Sequence, residues 1–147
     1  AKNVGIFNGK EIEVMEEVIE NYVKSPEKDY FLLEEKQGEA VAGFLIFGRT
    51  PLTKSSWDIY WLVVDKNYQG KGFGRKLLKR MEEFILQNGS GAVLRVETST
   101  KKEFAHARNL YARQEFKEVG RIPDFYEEGD SLIIYYKEIG GNGKIDE

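Results

Sequence analysis

The chain has 147 residues and a mass of 16.9 kDa, which predicts one domain, since domains usually contain about 100–200 residues. With 41% hydrophobic and 32% charged residues, its composition is typical of a soluble globular domain. It has no cysteine and one histidine, His106, which excludes disulfides, thiol nucleophiles and metal sites that need two histidines. The net charge of −3 argues against general nucleic-acid binding. No apolar run is long enough for a membrane helix and no signal peptide is evident, so the cytoplasm is the expected location.

The first third of the chain has the pattern of a helix followed by a β-hairpin. Over Ile12–Val23, apolar residues recur at the spacing of a helix with one buried face, and Pro26 ends that pattern. Two apolar runs, Tyr30–Leu33 and Ala40–Phe47, flank the polar turn Lys36–Glu39. This arrangement predicts two antiparallel strands.

A third strand, Trp57–Val64, carries bulky residues on both faces and is therefore expected in the middle of the sheet. Strict alternation along a strand predicts two sets of side chains, with Ile59, Trp61 and Val63 on one face and Asp58, Tyr60, Leu62 and Val64 on the other.

The second half of the chain alternates helices and strands. Apolar residues at a 3.6-residue period predict a helix over Phe73–Ile85, and a second helix is predicted over Lys101–Arg113. The other predicted elements are the strands Ala92–Glu97, Glu118–Ile122 and Ser131–Lys137, an acidic loop Asp124–Asp130 and a flexible tail over residues 140–147. A helix between two strands predicts a crossover that joins parallel strands. Residues 1–139 are thus expected to form one mixed α/β (α+β) domain, with helices on both faces of the sheet.

The segment Gln69–Gly74, with glycines at alternate positions, lies between a strand and an amphipathic helix. Such glycines allow a tight turn that directs several N–H groups into one concavity, beside the positive end of the helix dipole. This is the arrangement of a phosphate site, and Lys71, Arg75 and Lys76 add positive charge; a turn without a ligand is the alternative. The spacing is neither the Walker form nor G-x-G-x-x-G, which disfavours ATP hydrolysis and nicotinamide binding.

Three motifs, in order along the chain, resemble the GNAT superfamily of acyl-CoA-dependent N-acetyltransferases. They are Leu62-Val63-Val64 followed by Gln69–Gly74, then Val96-Glu97-Thr98-Ser99, then Ala107-Arg108-Asn109-Leu110-Tyr111 with Phe116. The resemblance covers about Tyr30 to Lys137 and implies a mostly antiparallel sheet with one parallel central pair. A β-bulge is expected to splay that pair apart, between Leu62–Val64 and Ala92–Glu97.

The resemblance implies acetyl-CoA as the acyl donor and assigns most of its site to the main chain. Main-chain groups of Leu62, Val63 and Val64 are expected to bind the pantetheine arm. The pyrophosphate is expected on the backbone amides of Gln69, Gly70, Lys71, Gly72, Phe73 and Gly74, with Arg75 at the rim. Asn109 is a further candidate that would face the cofactor.

Acylation of an amine requires a proton acceptor, because only the neutral amine attacks, and it benefits from a proton donor for the departing thiolate. By resemblance Tyr111 is the expected acid, although a core aromatic is the alternative interpretation. Glu97, at a strand end beside the splay, is the expected base, directly or through water; a solvated carboxylate is the alternative. The expected reaction is direct transfer to a primary amine in a ternary complex.

Acceptor-binding residues are expected on both sides of the splay. Asp58 and Tyr60 are the reserve candidates for the base or for orienting the acceptor, while Phe125 and Tyr126 would pack against it. Acidic residues of the same loop, Glu127, Glu128 and Asp130, would attract a cation, unless that loop is merely solvated. His106 is expected on the surface.

Three features depart from the family pattern. The chain opens almost at its first helix, so an initial strand is expected to be missing. Glu115 stands where a glycine usually precedes the final phenylalanine, so the helix is expected to lack a left-handed cap. Phe104 stands where an asparagine is frequent.

The identity of the acceptor stays open at this point. A small-molecule amine is the first expectation, and a protein or peptide N-terminus or a non-catalytic acyl-CoA-binding module are the alternatives. Homodimer formation stays open as well.

Overall fold

Six strands form a single mixed sheet in the computed structural model, which describes residues 30–87 and 89–141. The strands are β1 (Tyr30–Gln37), β2 (Ala40–Arg49), β3 (Ser56–Val64), β4 (Gly91–Ser99), β5 (Lys117–Glu127) and β6 (Asp130–Gly140). The helices are α1 (Phe73–Leu86) and α2 (Ala105–Arg113), preceded by the short 3-10 helices Lys66–Tyr68 and Lys102–Phe104. The predicted helix Ile12–Val23, the region of the expected initial strand and residues 142–147 of the predicted tail lie outside the described residues.

The strand order is β1-β2-β3-β4-β6-β5, which places β3 and β4 in the centre of the sheet. All neighbours are antiparallel except β3 and β4, which are parallel. The helix α1 makes the crossover between these two strands. The predicted fold class, a mostly antiparallel sheet with one parallel central pair, is therefore confirmed.

A β-bulge at Tyr60 interrupts the central strand. Phe47 pairs with Ile59 and the adjacent Ile46 pairs with Trp61, so Tyr60 is one extra residue on β3. The bulge changes the facing of the residues that follow it: Ile59 lies in the core, and after it Leu62 rather than Trp61 packs against that core. The prediction that Ile59, Trp61 and Val63 share one face is wrong, because strict alternation makes no allowance for an extra residue.

The parallel strands separate immediately before this bulge. β3 and β4 pair over Ser56–Ile59 and Val93–Val96 and then diverge, while β4 stays paired with β6 as far as Ser99. We call the opening between Tyr60–Val64 and Glu97–Ser99 the β3–β4 gap. The structure has the expected splay, but its β4 side begins at Glu97, because the earlier β4 positions are still bonded to β3.

The core lies between one face of the sheet and both described helices. The buried residues of α1 are Gly74, Leu77, Leu78, Met81 and Ile85, and those of α2 are Leu110 and Tyr111. An aromatic cluster of Phe31, Phe47, Trp57 and Phe84 has ring centroids 4.9–6.5 Å apart. Burial of each large apolar side chain contributes roughly 1.5–3 kcal/mol, so this layer is a principal source of stability.

The predicted acidic loop Asp124–Asp130 is a β-hairpin tip instead. β5 continues to Glu127, which pairs with Asp130 across a two-residue turn. Pairing is interrupted between Ile122 and Glu127, where Asp124 has a left-handed φ of 55°. The prediction of a loop is wrong because nearly every residue of this edge strand is exposed, so its sequence lacks the apolar–polar alternation of a half-buried strand.

The C-terminal end of α2 has a left-handed cap formed by Glu115, whose φ is 71°. The Glu115 N–H donates to the Ala112 carbonyl at 3.2 Å, and the Phe116 N–H donates to the Tyr111 carbonyl at 2.9 Å. These two bonds define a Schellman motif. The expectation that the cap would be lacking is wrong: the motif forms with a glutamate in a conformation that favours glycine.

Glu115→Gly is expected to increase the free energy of unfolding. A left-handed conformation costs a non-glycine residue about 1–2 kcal/mol, and the greater freedom of glycine in the unfolded chain offsets part of that gain. A net increase of about 0.5–1 kcal/mol should appear as a higher urea midpoint. Glu115→Ala is the matched control, because it removes the carboxylate but retains the Cβ atom; equal midpoints for the two variants would contradict the strain.

Candidate functional site

A cavity of about 330 Å³ lies where the end of β3 meets the glycine loop and α2. The loop contributes Gly70 and Gly72, the first turn of α1 contributes Gly74 and Arg75, and α2 contributes His106, Leu110 and Arg113. Cationic side chains from both helices thus line the same cavity.

Glycine is required at these positions for two different structural reasons. Gly70 and Gly72 have φ values of 78° and 89°, and a Cβ atom at either position would meet nothing within 4 Å. They are needed for the turn itself and leave open space beside the backbone. Gly74 instead permits close packing, because a Cβ atom there would lie 2.5 Å from Cδ2 of Leu110.

Side chains at the start of the loop hold it against β3. Gln69 Nε2 donates to the Val64 carbonyl at 3.0 Å, and the Asn67 N–H donates to Asp65 Oδ1 at 2.8 Å. The Lys76 N–H donates to the Gly72 carbonyl at 3.0 Å as the first turn of α1 closes. The preceding N–H groups of α1 therefore have no acceptor within the helix.

The cavity fits a phosphate-bearing ligand. Unsatisfied amides at the positive end of a 14-residue helix attract an anion, and Arg75 and Arg113 add positive charge beside them. Of the predicted cofactor residues, six line the cavity: Val64, Gly70, Gly72, Phe73, Gly74 and Arg75.

The other five predicted cofactor residues lie elsewhere, among them Gln69, whose side chain binds the Val64 carbonyl. Lys71 Nζ lies 5.6 Å from the centroid of the Tyr68 ring, and Asn109 is exposed on α2. Leu62 and Val63 belong to the β3 side of the β3–β4 gap. Their binding roles stay predictions.

The structure places His106 in this cavity, half-buried, rather than freely on the surface. Burial lowers the pKa of the imidazole, and the charge of Arg113 lowers that pKa further. Sequence reasoning missed this position, although a signal was present: His106, Leu110 and Arg113 are spaced by four and three residues and so share one face of a helix.

A second cavity, of about 240 Å³, opens at the β3–β4 gap. Its lining residues are Asp58, Ile59, Tyr60, Arg95, Glu97 and Tyr126. Arg95 and Glu97 alternate along β4 with Leu94 and Val96, which are buried under the helices, so their side chains lie on the opposite face of the sheet. We call this cavity the Glu97 pocket.

An ion pair closes the ladder of β3 and β4 just before the strands separate. Asp58 and Arg95 are register partners, and Arg95 donates from Nε to Oδ1 at 2.7 Å and from Nη2 to Oδ2 at 3.1 Å. The Asp58 residue is buried, whereas the Arg95 side chain is 48% exposed. The hydrogen bond that Arg95 donates to Asp58 raises the pKa of Arg95, and burial partly offsets that increase.

The Glu97 pocket brings together the predicted base and three of the predicted acceptor residues, Asp58, Tyr60 and Tyr126. Glu97 is exposed, and no residue of 30–87 or 89–141 forms a salt bridge with it. Burial raises the pKa of Tyr126, and the nearby Glu97 charge raises it further. Phe125 lies outside the lining; it packs edge-on against Tyr126 and is 53% exposed.

The β5–β6 hairpin tip is tied to the end of β4. Asp130 is 5% exposed and accepts a hydrogen bond from Ser99 Oγ. Lys101 Nζ lies 2.8 Å from Glu127 Oε2 and 3.9 Å from Asp130 Oδ2. Lys101 is thus already the cation for two of the three carboxylates that were expected to attract a substrate amine, and their contacts position the hairpin instead.

Tyr111, the predicted acid, lies in the core. It is 3% exposed and packs against Phe116 and Tyr135, with ring centroids 5.4 and 5.8 Å away. Burial raises the pKa of its hydroxyl. The ring lines neither cavity, so the alternative interpretation as a core aromatic describes its packing, and the acid role stays a prediction.

Within the described ranges, no group of three histidine, cysteine, aspartate or glutamate side chains is placed to hold a metal ion. The same ranges contain no helix with the length and apolarity needed to cross a membrane.

Comparison with known proteins identifies one family. The family model of the GNAT acetyltransferases matches residues 5–116. A crystal structure of a GNAT-family protein from Desulfovibrio desulfuricans is 30% identical, with a TM-score of 0.79, over 91% of this chain and 84% of that one. Two further solved structures with this fold hold coenzyme A or acetyl-CoA.

Two curated relatives are named as N-acetyltransferases. An uncharacterised N-acetyltransferase of Methanocaldococcus jannaschii is 26% identical over 90% of this chain and 88% of its own length. The N-alpha-acetyltransferase RimI of Mycobacterium tuberculosis is 34% identical over 58% of this chain. This chain spans 49% of RimI and 21% of a Mycobacterium leprae relative.

Stability is expected to depend on the protonation of His106. Because its pKa in the folded chain lies below the ordinary 6.5, its contribution is fully present above about pH 6.5 and is lost as the pH falls through the folded value. Urea unfolding should show that the free energy of unfolding falls less between about pH 7.5 and pH 5.5 for His106→Gln than for the parent chain.

The same residue reports on the cavity. Since it is the one histidine of the chain, its imidazole resonance can be titrated without ambiguity. Inorganic pyrophosphate should raise its pKa if the anion binds beside it. Equal pH dependence in both chains, or a pKa that pyrophosphate does not move, would contradict this placement.

Proposed function

The chain belongs to the GNAT family of acetyltransferases, and we propose that it transfers the acetyl group of acetyl-CoA directly to a primary amine in a ternary complex. One observation carries this proposal: the β3–β4 gap separates a cationic, phosphate-fitting cavity from a pocket that holds a carboxylate without an ion-pair partner among the described residues. A donor on one side and an amine on the other could meet only there. The cytoplasm stays the expected location of this activity.

The donor would lie along the glycine loop and the β3–β4 gap. The amides at the start of α1, with Arg75 and Arg113, would hold its phosphates. Main-chain groups of Leu62–Val64, where β3 no longer pairs with β4, would hold the pantetheine arm. When bound, acetyl-CoA supplies the acetyl group as an activated thioester.

Glu97 would accept the proton of the acceptor ammonium, directly or through a water molecule. The ordinary pKa of a primary ammonium group is about 10, so only a small fraction of the amine is neutral at pH 7. A carboxylate that lines the pocket would both attract the ammonium and take its proton.

Tyr111 would hold a proton for the leaving group. Because burial raises the pKa of its hydroxyl, the side chain stays protonated across the neutral and mildly alkaline range. Its packing against Phe116 and Tyr135 fixes the orientation of the ring.

A protein or peptide N-terminus is the second candidate acceptor, because RimI, named as an N-alpha-acetyltransferase, is among the relatives. Incubation with acetyl-CoA and a panel of small amines and peptides, followed by detection of free thiol, separates the candidates. Competition between peptides and small amines ranks them. Binding of coenzyme A without turnover of any amine would favour a non-catalytic module instead.

Glu97→Gln is expected to lower kcat by about 100-fold, because general-base catalysis typically contributes a factor of that order. The measurement is the steady-state rate of thiol release at saturating acetyl-CoA. Glu118→Gln is the control, since it removes an exposed carboxylate from β5, outside both cavities. Unchanged turnover in the Glu97 variant would assign proton removal to another group.

Tyr111→Phe is expected to lower kcat about tenfold or more while leaving the fold intact, because the ring contacts are retained. Tyr135→Phe is the matched control: it removes one hydroxyl from the partner ring of the same cluster and should keep its rate. The raised pKa of Tyr111 further predicts no loss of rate from its ionisation below about pH 10. Equal rates for the two variants would remove Tyr111 from the acid role.

A further inference from the structure

The Glu97 pocket has a second polar feature that removal of a proton does not use, the outer edge of the Arg95 guanidinium. Arginine has five N–H groups, and Asp58 accepts from two of them. No other acceptor for Arg95 lies in the described parts of the chain, and its side chain is 48% exposed. Three donors are therefore free to bind a ligand in the pocket.

Asp58 makes this guanidinium a fixed recognition element. Two parallel hydrogen bonds set the plane of the group, and Asp58 is itself buried beside the last paired residues of β3 and β4. A flexible surface arginine would lose conformational entropy on binding an anion. Arg95 has already lost much of that freedom in the folded chain.

Arg95 and Glu97 lie on the same face of β4, two residues apart, which corresponds to roughly 6.5–7 Å along a strand. The pocket therefore presents a cationic donor group and a carboxylate side by side. A ligand that carries an ammonium and a carboxylate would match both. An amine without a carboxylate would interact with Glu97 alone. It would displace water from the three remaining N–H groups of Arg95 without accepting hydrogen bonds from them.

We propose that the acceptor is a small amino carboxylate, whose amine lies at Glu97 and whose carboxylate is bound by Arg95. This inference rests on the proposed function and specifies its acceptor class. The cavity of about 240 Å³, which Tyr60 and Tyr126 help to line, suits a small molecule. Arg95 is then a specificity residue and Asp58 the residue that positions it.

The test compares matched acceptors that differ only in the carboxylate. Alanine is assayed against alaninamide and ethylamine, and 4-aminobutyrate against butylamine, with acetyl-CoA and detection of free thiol. Both control compounds lack the carboxylate. The amine of alaninamide is less basic than that of alanine and the amine of ethylamine is more basic, so the two controls bracket the effect of amine basicity. The carboxylate-bearing member of at least one series should have a kcat/KM about 10- to 100-fold higher, as expected for charge-assisted hydrogen bonds.

Replacement of Arg95 should abolish that preference. Arg95→Gln is expected to bring the ratio of kcat/KM for carboxylate and amine close to one. Because this variant leaves the buried Asp58 without its cation, Asp58→Asn combined with Arg95→Gln is measured beside it as an uncharged pair. Arg121→Gln breaks an exposed arginine–glutamate pair on β5, outside the pocket, and should keep the parent ratio.

The outcomes separate this inference from the proposed function. Acetylation of plain amines or amides as fast as their carboxylate partners, or a preference that persists without Arg95, would overturn the amino carboxylate assignment and leave the acetyltransferase intact. Preferred acetylation of a peptide N-terminus would overturn it in favour of the second candidate. Failure to acetylate any amine would contradict the proposed function, and the inference would fall with it.

Discussion

Both cavities depend on one constraint, the end of backbone pairing between the two central strands. A sheet normally satisfies the main-chain groups of each central strand on both sides. Here β3 and β4 stop pairing after Ile59 and Val96, while β3 stays paired with β2 and β4 with β6. The bulge at Tyr60 lies at that point, where an extra residue bends the strand and increases its twist. The gap is therefore a built feature of the sheet, and along it β3 and β4 do not pair with each other.

The ion pair of Asp58 and Arg95 lies at the vertex of this gap and would link the structure of the sheet to binding of the acceptor. Its two residues are partners in the last paired stretch, so their side chains connect the strands next to the point where the backbones part. The same contact orients the guanidinium that faces the Glu97 pocket. Further along, Ser99 and Lys101 tie the β5–β6 hairpin tip to the end of β4 through Asp130, which keeps Tyr126 beside Glu97.

Sequence patterns predict the elements of this fold better than the contacts between them. The helix at Phe73 and the crossover follow from local periodicity and an adjacent glycine turn, which a single sequence displays directly. The bulge, which the family resemblance alone leads us to expect, escapes local patterns because β3 is bulky on both faces, so a one-residue insertion leaves no break in the pattern. The Asp58–Arg95 pair joins residues 37 positions apart, and only the strand register brings them together.

The scarcity of reactive side chains is consistent with this architecture. A chain without cysteine cannot carry an acyl group on a thiol, and the proposed direct transfer would leave positioning and proton transfer to the protein. The charges are sorted accordingly. Arg75 and Arg113 line the phosphate-fitting cavity, and Glu97 lies in the pocket at the gap. Because a donor and an amine would meet only through the gap, the spacing of β3 and β4 would govern the reaction as much as the identity of any catalytic group.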